Sequence, residues 1–143
     1  LLIFLPMIFI ISSLPINKEI LFYKKPSESN QIGEYLKKYF HSKPDDNFLI
    51  LKIDKNKDLP LDNFKLLMSF DKKNIAITNI DNLLISEDKI DKNLILNLSK
   101  NTKSWERNKG TDKFDHYILI INNYVMSKIF YLNANSKNIK HIN

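Results

Sequence analysis

Between residues 29 and 132 the apolar side chains change period repeatedly, and this alternation limits the folds open to the chain. Helix-like spacing gives way to short apolar runs, with charged or turn-forming residues at each change. Ile32, Tyr35, Leu36, Tyr39 and Phe40 fall on one helical face, which predicts a helix over 29–41. Ser27 or Ser29 is placed to cap it, and Pro44 lies beyond its end. Residues 47–53 (NFLILKI) read as a buried strand. Leu61, Phe64, Leu67 and Met68 restore helical spacing behind Asp62, and 74–80 (NIAITNI) reads as a second strand. Ile90, Leu94 and Leu98 lie four apart and predict a third helix, although Leu94, Leu96 and Leu98 also suit a strand. Tyr117–Ile121 and Tyr124–Leu132 predict a hairpin turning at Asn122-Asn123.

This order gives an α/β fold: a small mixed sheet of three to four strands with covering helices and a C-terminal β-hairpin. The first two strands, if adjacent, pair in parallel. The organisation is an apolar leader over 1–16, a connector over 17–28, a single α/β domain over 29–132 and a polar tail over 133–143 that frays.

The leader, LLIFLPMIFIISSLPI, is apolar or hydroxylic throughout, but a membrane-spanning helix needs about 20 such residues. Pro6 and Pro15 interrupt it. A signal-peptide core fits, with Ser13 ahead of a cleavage point, although Ile11 breaks the small-residue rule there. The expectation is therefore a signal peptide or signal anchor, and an exported or membrane-anchored protein. The competing reading makes 1–16 a buried core segment.

Cysteine is absent, which excludes a disulfide framework and thiolate metal sites. The net charge of +6 points to an anionic partner, such as a membrane surface. Lysine supplies all of the 22 basic residues except Arg107, and this argues against base-reading nucleic-acid recognition, which favours the guanidinium fork. The same Lys, Asn and Ile excess is what an AT-rich genome produces. The aromatic and basic residues from Tyr35 to Phe40 have the pattern of a stacking surface, yet helical spacing places the aromatics in a core.

The scarce residue types gather in 105–116, which holds Trp105, Arg107, Gly110 and His116. A functional reading makes this a loop in which Trp105, Arg107, Asp112, Asp115 and His116 bind substrate. Arg107 takes an anion with Lys109 and the Gly110 backbone, and Glu106 or the later acids and His116 supply acid–base groups. A structural reading makes it a solvated connector with Trp105 over a sheet edge. Asp115 and His116, if both are in a strand, point to opposite faces and do not pair with each other.

Trp105-x-Arg107-x-x-Gly110-x-Asp112, followed by Asp115-His116-Tyr117, resembles the Trp-x-Arg-x-x-Gly-x-Asp-His-Phe stretch of exostosin-type glycosyltransferases. In that family the Asp-His follows the glycine more closely, whereas here Lys113, Phe114 and Asp115 intervene. The resemblance implies a transferase acting on an anionic or sugar substrate through 104–116, and it carries no family role to any numbered residue. Asp54-x-Asn56-x-Asp58 begins like a calcium loop, but Leu59 and Lys65 stand where the turn glycine and bidentate glutamate belong. His41, His116 and His141 lack metal-ligand spacing. The sequence therefore assigns no metal and no cofactor, and the leading expectation is a small binding module without catalytic activity.

Overall fold

The structure, a computed structural model, describes residues 27–81, 84–100, 105–106 and 113–143, with 105–106 described by backbone alone. The 1–16 leader, most of the connector, Arg107 and Asp112 lie outside these residues. The elements run α1 (Glu28–Tyr39), β1 (Asn47–Asp54), α2 (Asn63–Phe70), β2 (Asn74–Asn79), a 3-10 turn (Glu87–Lys89), α3 (Lys92–Lys100), β3 (Trp105–Glu106), β4 (His116–Asn122), β5 (Ser127–Asn133) and β6 (Lys140–His141). The class is the mixed α/β arrangement expected, with three α-helices among the described residues.

The sheet has the order β3-β2-β1-β4-β5-β6. Apart from the two-residue β3 pairing it holds five strands, more than the three to four expected. The extra strand comes from the tail, where Lys140 and His141 pair with Tyr131 and Phe130. The tail does not fray: the Asn143 side chain accepts from Ile129 N and donates to Ser127 O, and Ile142 packs on the core.

β1 is central and parallel to both neighbours, with Ile50 opposite Ile77 on β2 and Ile118 on β4. β4 and β5 form the expected hairpin, but its turn differs from the sequence reading. Asn122 is the last residue of β4 and pairs with Ser127, so residues 123–126 form a four-residue loop in place of a two-residue turn. The reason is chemical: the Asn122 side chain is fully buried and bonded inward, so it is not available as a turn corner.

Because strand side chains alternate, the sheet has two apolar faces. On one, Phe48, Ile50, Ile75, Ile77, Ile118 and Ile120 meet α1 and α2. On the other, Leu49, Leu51, Ile53, Leu119 and Ile121 meet α3 through Ile95, with Ile90, Leu94 and Leu98 partly buried around it.

Ser27 caps α1, accepting from Asn30 N, and Asp62 caps α2, accepting from Lys65 N. α2 stops where Asp71 takes a left-handed conformation, φ 52°. Its buried face is Leu66, Leu67 and Phe70; Phe64 and Met68, expected in the core, are exposed. α1 and α2 approach closely at Gly33, where a Cβ would lie 2.4 Å from Ser69 Cβ and 2.7 Å from the Leu66 carbonyl oxygen.

Candidate functional site

Three parallel strands give the sheet a direction. β1, β2 and β4 end together at Asp54, Asn79 and Asn122, and α1 and α2 begin at the same end. In open sheets of this kind ligands favour the carboxyl ends of the strands, where connections leave to either side.

The side chains there are polar but tightly committed. Lys52 and Asp54 are two apart in β1 and so share the face covered by α1 and α2. Lys52 is buried, with Nζ 2.8 Å from Asp54 Oδ2 and donating to the Leu61 carbonyl at 2.5 Å. The other Asp54 oxygen accepts from Leu61 N at 3.1 Å and from Asn122 Nδ2 at 2.9 Å. The same Asn122 nitrogen donates to Leu59 O at 2.9 Å, and the Asn122 carbonyl accepts from Lys55 N and Asn56 N. Ser127 donates to Glu28 at 2.7 Å, and the buried Ser29 accepts from Asp62 N at 2.8 Å, so both helix starts are tied to this layer.

Above the Lys52–Asp54 pair opens a cleft of about 440 Å³ lined by Lys52, Asp54, Lys57, Pro60, Asn79, Ile80 and Asp81. Two ammonium groups and two carboxylates face it. Lys52 and Asp54 neutralise each other at the floor, whereas Lys57 and Asp81 stand exposed at the walls. Such a lining suits a small polar ligand carrying both signs of charge.

Of the residues singled out from sequence, His116 and Asp115 lie at the opposite end of the sheet, and Arg107 and Asp112 are outside the described residues. His116 begins β4 at the amino end of the sheet and is 1% exposed. Its ring stacks on Phe48, with centroids 4.7 Å apart, and packs beside Phe40 and Tyr131. Nε2 lies 2.6 Å from Asp46 Oδ2 and Nδ1 lies 2.8 Å from Tyr131 Oη. A ring protonated on Nε2 satisfies both, donating to Asp46 and accepting from the phenol. Burial raises the Tyr131 phenol above its ordinary value.

Asp115 is a backbone tie: its carboxylate accepts from Asn47 N at 2.8 Å, and its own N–H donates to Asn47 O. His116 and Asp115 are thus both at the amino end but engage different partners, consistent with their opposite faces. Trp105 belongs to β3, whose backbone pairs with β2 through Ile77.

Lys72 completes the amino end. It is buried, donates to Phe40 O at 2.6 Å and Lys43 O at 3.3 Å, and lies over the Phe48 ring. Burial lowers its ammonium below the usual lysine value, a shift opposed by Asp46 and Asp71.

Sequence reasoning missed Lys52 and Asp54. The available signal was a lysine inside an apolar strand with an aspartate two residues on, which puts opposite charges on one face at the strand's carboxyl end. Among the described residues no three His, Asp or Glu side chains gather as a metal site, and no helix is long and apolar enough to cross a membrane. No protein family, curated protein or solved structure matches the chain.

Proposed function

We propose that the chain is a small binding module, exported or membrane-anchored through residues 1–16, that takes a small zwitterionic ligand at the carboxyl end of β1 and β2. One observation carries this reading. Lys57 and Asp81 face a cleft whose floor charges are already paired, so they are the groups left to meet a ligand's anion and cation. The apolar composition of 1–16 supports placement outside the cytosol or at a membrane.

O-phosphoethanolamine, with a phosphate and an ammonium two carbons apart, is a suitable probe. Titrating it against the full chain should shift the backbone amides of Lys57 and Asp81. Lys57→Ala should weaken binding at least about tenfold, as loss of a charge-assisted contact predicts, with the unfolding midpoint unchanged because the side chain is exposed. Amide signals around the cleft that stay fixed during the titration would remove the reading.

A further inference from the structure

The loops at the carboxyl end display large apolar side chains to solvent. Leu59 in the β1–α2 loop is 71% exposed, Leu84 after β2 is 93% exposed, and Tyr124 and Val125 between β4 and β5 are 73% and 94% exposed, with Met126 beside them. Isolated exposed apolar residues are ordinary, but a set gathered at one end of a domain marks an interaction surface.

These loops are braced. Asn122 holds the Leu59 carbonyl, Lys55 Nζ donates to Ile85 O at 3.2 Å, and Glu87 takes Asn123 Nδ2 at 3.3 Å and Lys128 Nζ at 2.5 Å. Each of the three loops is thereby tied to another, and the apolar side chains are held out on a cross-linked rim.

We infer that this rim docks on a phospholipid bilayer, with Leu59, Leu84, Tyr124 and Val125 entering the interfacial layer. Two observations favour a bilayer. First, the chain enters the domain at this end: α1 starts at Glu28, which is bonded to Ser127 next to Met126. Only residues 17–27 separate that start from the apolar stretch 1–16. Eleven residues span at most about 40 Å even when fully extended, so a membrane holding the first stretch lies within that reach of the rim.

Second, the rim is apolar without being basic. Asp58, Asp81, Glu87 and Asp88 stand against Lys55, Lys57 and Lys89 in these loops, so anionic lipid offers no electrostatic gain and apolar insertion is the driving term. A zwitterionic phosphatidylcholine surface fits this balance. The inference rests on the reading above only in placing the protein at a membrane, and the O-phosphoethanolamine titration tests the cleft separately.

The absence of cysteine makes a clean test available. Single-cysteine variants of the full chain, Leu59→Cys and Val125→Cys at the rim and Lys137→Cys near the opposite end, are labelled with an environment-sensitive fluorophore and mixed with phosphatidylcholine vesicles. Labels at 59 and 125 should shift to the blue and be quenched by spin-labelled lipid, equally at low and high salt, while the label at 137 stays as in buffer. Vesicle-bound protein with an unchanged label at 125 would mean that the N-terminal stretch alone holds it, and would overturn the inference. So would a shift at all three positions, a shift abolished by salt, or failure to sediment with vesicles.

Discussion

The two ends of the sheet dispose of their buried polar groups in opposite ways. At the amino end, His116, Tyr131 and Lys72 are enclosed by Phe40, Phe48 and Phe70, and their polar atoms are spent on Asp46 and on carbonyls of the chain. At the carboxyl end, Lys52, Asp54 and Asn122 are spent on loop backbone, and the loops they hold remain open around a cleft. Buried hydrogen bonds close one end and build a platform at the other. Burial of a polar side chain is therefore a poor guide to function by itself; what matters is whether the group it holds is displayed.

The comparison is broken most directly at Asp54. Asp54→Ala leaves Lys52 buried without its counter-charge and releases Leu61 N and Asn122 Nδ2. A loss of about 4 kcal/mol in urea unfolding is expected, together with loss of O-phosphoethanolamine binding. A loss under about 1 kcal/mol would mean that water enters and solvates Lys52, and that the platform is not held by this pair.

His116→Ala should cost somewhat less, about 2.5 kcal/mol, from the lost ring packing and the orphaned Tyr131 hydroxyl. In contrast to Asp54→Ala it should leave cleft binding intact in the folded fraction. Equal loss of binding in both variants would show that the ends are coupled and erase the distinction drawn between them.

The smallest effect is expected at the brace between Glu87 and Lys128. The hydrogen bond from Lys128 holds the Glu87 carboxyl below the usual carboxylate range. A depressed carboxylate contributes stability above its unfolded value, and that contribution disappears as pH falls through the folded value. Both side chains are about one-third exposed, so the contribution is about 0.5 kcal/mol. Wild type and Glu87→Gln should differ by this much at neutral pH and converge in acid, once the pH has fallen through the depressed Glu87 value. A difference that persists in acid would assign the Glu87 effect to shape instead of charge.

Much of the fold was legible because local pattern and tertiary burial agree. NFLILKI reads as a buried strand and is one, and the one-face spacing from Ile32 to Phe40 matches α1 in part: Ile32, Leu36 and Phe40 are in the core, whereas Tyr35 and Tyr39, placed in the core by the same spacing, are exposed at the edge of that face. Disagreement came where a distant partner decides the outcome. The tail carries too few apolar residues to announce a strand, and β6 exists because β5 offers backbone groups to it. Asn122-Asn123 has turn chemistry, but Asp54 and Leu59 claim the Asn122 side chain from 68 and 63 residues away. For the site, rarity of residue type drew attention to His116, which is buried at the amino end and bonded to Asp46 and Tyr131. The lysines of the cleft are common residues in this chain, and only the parallel arrangement of β1 and β2 reveals what they face.

Gly33 gives the composition a further meaning. The chain has only two glycines. One of the two sits where α1 and α2 touch backbone to side chain, with no room for a methyl group. The position therefore takes no larger residue while the two helices keep this spacing. A lineage that lost this glycine would have to respace the helix pair, and with it the start of α1 that Ser127 holds at the rim.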